Sequence, residues 1–317
     1  MPVLSSLGAS PPRASGLGVL CGIVLMLCGT GFGAAQDVSQ PPGILYPVAD
    51  TTIHVNCMGS GAPAVMLEAG LGGNSLDWTY VQARVAPTHR ICAYDRAGAG
   101  WSGRTARPRN AANMAEELHL AAVAAKISTP FILVGHSFGG LLSQNYLARY
   151  PGEIAGLVLV DSMHPDQFAR FTEAGVDVPT DPHGVLGHTP AAAAAYGLPE
   201  PLQAVAISLA RSGKTRVFVV REMSAMLQIA HDVDAEPRPL RPIRVLVHGN
   251  REWDVPYPDG RMEAAWRAMQ ADLAKRFGAS TLTIVEGSGH EIPLDRPAAV
   301  VTAIEDVVRE VVAARPL

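Results

Sequence analysis

The sequence predicts an α/β fold built on a largely parallel sheet, on three observations. Mostly apolar runs of strand length at 64–67, 90–94, 131–134, 154–161, 243–247 and 282–285 alternate with segments of helical spacing. Such predominantly apolar runs belong to strands covered by helices on both faces. One of them, Phe131-Ile132-Leu133-Val134, leads straight into Gly135-His136-Ser137-Phe138-Gly139, a G-x-S-x-G pattern with a helical segment after it at 141–150. A strand–turn–helix corner of this kind holds a serine hydroxyl out at the end of the sheet, and Gly135 and Gly139 are small so that strand and helix can approach. Ser137 then stands at a helix N-terminus, where unpaired N–H groups and the helix dipole favour a developing oxyanion.

The 317 residues suffice for one large domain or a domain with an insertion, and a hydrophobic content of 48% suits a globular α/β chain. A net charge of −4 gives no electrostatic footprint for nucleic acid or an anionic membrane. No repeat stands out beyond a short alanine run at 191–195.

The first 35 residues read as an export signal. Arg13 is the only charge before Asp37, residues 17–28 form an apolar core, and Gly33-Ala34-Ala35 sets small residues before a cut ahead of Gln36. The mature chain is then expected outside the cytoplasm, periplasmic or secreted, without stable membrane association. The alternative is an anchor left uncleaved. Cys21 and Cys28 leave with the signal, so Cys57 and Cys92 remain in a compartment where thiols can pair.

The elements follow in order. Residues 51–55 alternate as a strand, and Gly59-Ser60-Gly61 is expected to turn it as a hairpin into the strand at 64–67. Glu68-Ala69-Gly70-Leu71-Gly72-Gly73-Asn74 is a glycine-rich loop, with a helix expected at 76–85. It has neither G-x-G-x-x-G nor a P-loop lysine, so nucleotide binding is set aside. Its expected role is to point the Leu71 N–H toward Ser137. After the strand at 90–94, Asp95 and Arg96 are read as structural, the carboxylate satisfying N–H groups of the turn that follows. A helix at 111–126 returns the chain to the Ser137 strand, and the strand at 154–161 ends on Asp161.

From 162 to 241 the pattern breaks into short pieces, helical at 201–211 and 216–231. Some eighty residues between two sheet strands exceed an ordinary loop (roughly 12–15 residues at most), so a helical cap over the site is expected. The organisation is therefore a signal at 1–35, a core at 36–161 and 242–317, and a cap insertion at 162–241. Val217, Val220, Met223, Leu227 and Ala230 form a stripe at helical spacing, read as the face that packs on the main domain. His164, His183 and His188 lie in irregular sequence with no H-E-x-x-H or cysteine partner, so no metal site is assigned to them. A strand at 243–247, a helix at 262–277, a strand at 282–285 and a closing helix from Arg296-Pro297 complete the chain.

In a parallel sheet, chemistry gathers beyond the carboxyl ends of the strands. Ser137, Asp161, Glu252, Asp254 and His290 all follow strands. A serine hydroxyl needs an imidazole base, itself oriented by a carboxylate. The order serine, acid, histidine fits Ser137 and His290 with one of the three acids between them. Asp161 is preferred because a strand end holds a carboxylate rigidly. Glu252 and Asp254, in a loop flanked by proline, are the alternatives.

From about residue 51 to its end the chain resembles the α/β-hydrolase superfamily. The resemblance rests on Glu68-Ala69-Gly70-Leu71-Gly72-Gly73, Tyr94-Asp95-Arg96-Ala97-Gly98-Ala99-Gly100-Trp101-Ser102, Gly135-His136-Ser137-Phe138-Gly139-Gly140 and Gly287-Ser288-Gly289-His290. It implies Ser137 as nucleophile, His290 as general base, and an oxyanion hole from the backbone N–H groups of Leu71 and Phe138. Ala69-Gly70 stands where the superfamily usually has His-Gly. The fold so implied sets Cys57 at the end of one strand beside Cys92 at the start of an antiparallel neighbour, where a disulfide can form. A serine in place of an aspartate nucleophile excludes dehalogenase and epoxide-hydrolase chemistry. What remains is acyl transfer to water through an acyl-enzyme, without metal or organic cofactor.

The first reading is thus an exported serine hydrolase that cleaves a small-molecule ester with a small or medium apolar acyl group. An amidase or aminopeptidase-like hydrolase on the same triad is the second; it needs a cap carboxylate for the substrate's amino group, with Glu173, Glu200 and Glu222 available. A non-catalytic ligand-binding protein on the same scaffold is the third.

Overall fold

The computed structural model describes residues 40–177, 198–233, 241–253, 257–277 and 280–314. Residues 1–39, His183, His188 and Asp254 lie outside the described residues, as do parts of the insertion expected at 162–241.

Among the described residues, eight strands form one sheet: β1 (Ile44–Val48), β2 (Thr51–Met58), β3 (Val65–Glu68), β4 (Ile91–Tyr94), β5 (Phe131–His136), β6 (Ile154–Val160), β7 (Ile243–His248) and β8 (Ser280–Val285). Their order is β1-β2-β4-β3-β5-β6-β7-β8. β1–β2 and β2–β4 are antiparallel, and every pairing from β4 through β3 to β8 is parallel. β3, β4, β5 and β6 are buried at every position, which is why they read as unbroken apolar runs.

The sheet is covered on both faces, and alternate residues go to opposite sides, as a two-residue period requires. Phe131 and Leu133 of β5, with Leu157 and Leu159 of β6, pack against α2 (Ala111–Ala124), α3 (Phe138–Arg149) and α7 (Arg261–Arg276). Ile132 and Val134, with Val158 and Val160, pack against α1 (Thr79–Val85), the short α8 (Ile292–Asp295) and the C-terminal helix α9 (Pro297–Ala313). α9 buries Val300, Ala303, Ile304, Val307, Val308 and Val311, a stripe at helical spacing. Truncating the fully buried Ile304 to alanine would cost about 2–5 kcal/mol.

One expected pairing is not observed. β2 and β3 do not form a hairpin across Gly59-Ser60-Gly61, because β4 lies between them. β3 is buried on both faces and takes β4 and β5 as parallel neighbours, whereas β2 has a mixed burial pattern and lies next to the edge strand. Cys57 and Cys92 are directly opposed in the antiparallel β2–β4 pair and form a disulfide.

The described part of the 162–241 insertion holds α4 (Gln167–Glu173), α5 (Glu200–Arg211) and α6 (Gly213–Asp232). α6 starts at Ser212, whose hydroxyl accepts from the Thr215 N–H. Its inner face differs from the expected stripe. Val217 and Leu227 are exposed, while Phe218, Val219, Glu222, Ile229 and Ala230 are buried. Ile229 and Ala230 pack with Phe138, Leu141 and Leu142 of α3, and Phe218 and Val219 with Ala99. A buried carboxylate rotates the inward face away from the purely apolar stripe, because Glu222 is drawn to Arg96 of the core.

Candidate active site

Ser137 is the turning point between β5 and α3. Its backbone lies at φ 52°, ψ −121°, a strained conformation for a side-chain-bearing residue. A Cβ on Gly139 would come within 2.4 Å of the Glu68 and Ala69 carbonyl oxygens, and one on Gly135 within 2.4 Å of the Ser143 Oγ. Both glycines are therefore dictated by close approach. The turn is fixed from outside by bonds from the Ser137 N–H to the Val160 carbonyl and from the Met163 N–H to the Ser137 carbonyl. From Phe131 to Gly140, Ser137 alone is not buried.

The histidine comes from the far end of the chain. His290 follows β8, in a loop anchored by Asp295 Oδ2, which accepts from the Gly289 N–H at 2.8 Å. His136 Nε2 donates to the His290 carbonyl at 2.9 Å. The ring then bridges two groups. Its Nε2 lies 3.0 Å from Ser137 Oγ and its Nδ1 2.6 Å from Asp161 Oδ2.

Of the two candidate carboxylates among the described residues, Asp161 is the one bonded to His290. Glu252 is exposed, and Asp254 lies outside the described residues. Asp161 is fully buried at the exit of β6, at a positive φ of 44°. Four N–H groups converge on it: His290 Nδ1 and His248 Nδ1 at 2.6 and 2.7 Å on Oδ2, and Trp266 Nε1 and the His248 backbone at 2.9 and 3.2 Å on Oδ1. Burial disfavours its charge, but the hydrogen bonds and charges of the two imidazoles outweigh burial and hold the carboxyl well below the usual range. Burial likewise disfavours a charged His290, yet the hydrogen bond and charge of Asp161, with Glu291 and Glu252 nearby, raise it to about 9.

The ligand-type atoms of Asp161, His248 and His290 lie within 4.8 Å of one another. The nitrogen–oxygen distances of 2.6 and 2.7 Å are nevertheless those of direct hydrogen bonds. Two donors on one tetrahedral zinc, at about 2.0 Å each, would stand roughly 3.3 Å apart. His164 is engaged elsewhere, its Nε2 3.0 Å from Asp272 Oδ2 and its Nδ1 accepting from the Asp166 N–H.

The loop after β3 lies against the serine: a Cβ on Gly70 would sit 3.4 Å from the Ser137 Cβ. Leu71 follows it, packed beside Phe138. Phe138 is the first residue of α3, where a backbone N–H has no partner within the helix. Arg96 holds the loop from below, its Nη1 on the Ala69 carbonyl at 2.6 Å and its Nη2 on the Gly70 carbonyl at 2.8 Å. Asp95 does what the sequence suggests, accepting from the Ser75 and Trp101 N–H groups and from His54 Nδ1. Of the three carboxylates weighed for an amino group, Glu173 and Glu200 are exposed, and Glu222 is already bonded to Arg96.

Sequence reasoning missed His248, Glu263, Trp266 and the loop-holding part played by Arg96. Only His248 carried a signal, as a polar residue closing a buried strand.

Residues 63–194 match a family model described as the alpha/beta hydrolase fold. An AB hydrolase superfamily protein of Gibberella zeae is 36% identical over 104 residues, 32% of this chain and 32% of that protein. This chain thus spans about a third of the length of that curated relative. The esterase EaEST from Exiguobacterium antarcticum superposes with a TM-score of 0.60 at 21% identity, covering 85% of this chain and 99% of that one. The epoxide hydrolase CorEH does so with a TM-score of 0.61 at 15% identity, covering 84% and 98%. At these identities the structural likeness speaks for the fold.

Proposed function

We propose that this chain, whose residues 63–194 match the alpha/beta hydrolase fold model, is an exported serine hydrolase of that superfamily cleaving an ester of a small or medium apolar acyl group. The observation that carries this reading is the bridge from Ser137 Oγ through His290 to Asp161, at 3.0 and 2.6 Å.

In this reading His290 Nε2 takes the Ser137 proton as the oxygen attacks the ester carbonyl. The N–H groups of Leu71 and Phe138 hold the negative oxygen of the tetrahedral intermediate, and Asp161 stabilises the imidazolium. The imidazolium then returns its proton to the departing alkoxide, leaving the acyl group on Ser137. Water, deprotonated by the same nitrogen, releases the acid. Asp161 is the triad acid here, and Glu252 has no part in it. A serine nucleophile favours ester cleavage over the epoxide chemistry of the similar CorEH fold.

Export is supported by the charge-poor apolar start of the sequence and by the Cys57–Cys92 disulfide, a bond suited to an oxidising compartment. The cap reading is supported by the packing of α6 on Phe138 and Leu142, next to the serine. An amine-recognising peptidase is disfavoured because Glu222 is already paired with Arg96. The test is a panel of p-nitrophenyl esters and aminoacyl-arylamides of graded length, with Ser137→Ala as blank. Ester turnover that falls beyond a defined acyl length supports the reading, and turnover of arylamides alone would replace it with the peptidase.

A further inference from the structure

His248, which closes β7, is fully buried, yet both its ring nitrogens face carboxylates. Nδ1 is 2.7 Å from Asp161 Oδ2, the same oxygen that accepts from His290. Nε2 is 3.1 and 3.2 Å from the two oxygens of Glu263 on α7. Arg267, one turn further along α7, places its Nε 2.6 Å from Glu263 Oε1. The row runs Ser137, His290, Asp161, His248, Glu263, Arg267, from the reacting oxygen to the rim of the core.

The proton count follows from the bonding. A carboxylate oxygen only accepts, so a ring with a carboxylate on each nitrogen needs an N–H on both, and only the imidazolium has two. Asp161 accepts from four donors and Glu263 accepts from Arg267 Nε at 2.6 Å, so the oxygens facing the ring act as acceptors. The charged and titratable groups around the ring are Asp161 after β6, His290 after β8, Glu263 and Arg267 on α7, and Glu252 in the loop between β7 and α7. Trp253 stands edge-on to the ring at 4.9 Å.

We propose that His248, held as an imidazolium between Asp161 and Glu263, is a positioning residue for the relay: it fixes the Asp161 carboxylate toward His290 and takes up part of its charge. This rests on the hydrolase reading of Ser137 and His290. Sharing one oxygen with a second cation weakens the grip of Asp161 on a proton at His290, so the base is free at lower pH than a lone pair would allow. The direction found for His248, raised above its ordinary value by Asp161 and Glu263 against the effect of burial, agrees with the charge assigned.

The experiment follows Ser137 phosphonylation by a fluorophosphonate from pH 5 to 10, with ¹⁵N NMR of the histidine side chains alongside. His248→Asn keeps an N–H toward Asp161 but removes the charge. Its acid limb is expected to move up by about one pH unit. Glu263→Gln, nearer the surface, keeps an acceptor for Nε2 and removes the charge that retains the proton, so His248 is expected to titrate within this range. In the wild type both His248 nitrogens are expected to carry protons at pH 7. A lowered plateau with an unmoved limb in both variants, or a His248 with one protonated nitrogen, would overturn the proposal. Failure of the wild-type chain to react at any pH would sink the hydrolase reading instead, while the NMR signal still reports the charge on His248.

Discussion

Arg96 and Glu222 meet in a two-pronged ion pair, Nε to Oε1 at 2.7 Å and Nη2 to Oε2 at 2.8 Å. Both side chains are buried. The same guanidinium holds the Ala69 and Gly70 carbonyls, so one cation ties helix α6 to the loop that carries Leu71. The charge is compensated twice, since Glu68 accepts from Arg96 Nη1 at 2.6 Å. The position of α6 and the shape of the loop beside Ser137 are therefore coupled.

Glu222→Gln takes one of its two bonded counter-charges from buried Arg96 and leaves Glu68 as the other. It is expected to cost about 1.5–3 kcal/mol in urea unfolding. It should also slow ester turnover at saturating substrate, because the Leu71 loop loses its fixed support. A variant as stable and as fast as the wild type would remove the coupling.

The triad acid is tested by two substitutions measured side by side. Asp161→Asn is expected to lower turnover by about 10⁴-fold, since an amide cannot stabilise the imidazolium. Glu252→Gln, on an exposed side chain, is expected to change it less than about tenfold. Equal losses in the two would contradict the assignment.

The pH dependence follows from His290. With the ring raised to about 9, the free base becomes scarcer as pH falls, so kcat/KM is expected to rise with pH up to that value. The same shift acts on stability. A histidine protonated more readily when folded contributes fully below its ordinary 6.5, and this contribution is lost as pH climbs to about 9. Urea midpoints should accordingly fall over that window while turnover rises. A kcat/KM profile flat from pH 6 to 9 would refute the shift.

The Cys57–Cys92 bridge joins residues 35 positions apart in the sequence. Replacing both cysteines (Cys57→Ser with Cys92→Ala) is expected to cost about 2–4 kcal/mol in unfolding free energy and leave the pH profile unmoved. Denatured without reductant, the native chain should show no titratable thiol at these positions.

The corner at Ser137 was legible because the turn, the glycines and the flanking apolar run are all local in sequence. Asp161 was legible for a related reason, as a carboxylate at the end of a buried strand. The partner of β2 was not, because Gly59-Ser60-Gly61 reports a change of direction and not which strand lies alongside. The inner face of α6 was misjudged since hydrophobic spacing cannot show that Glu222 will be buried against a cation 126 positions away. His248 was hidden for the same reason: its meaning comes from Asp161 and Glu263, which only the folded chain brings to either side of one ring.

Ser137 is expected to carry the acyl group during turnover. Intact-mass analysis of the chain quenched during turnover of a p-nitrophenyl ester, with peptide mapping of the adduct, reads this on the residue itself. One acyl group per chain on Ser137, absent from Ser137→Ala along with turnover, is the expected result. Full turnover by Ser137→Ala, or an acyl group on another side chain, would contradict it.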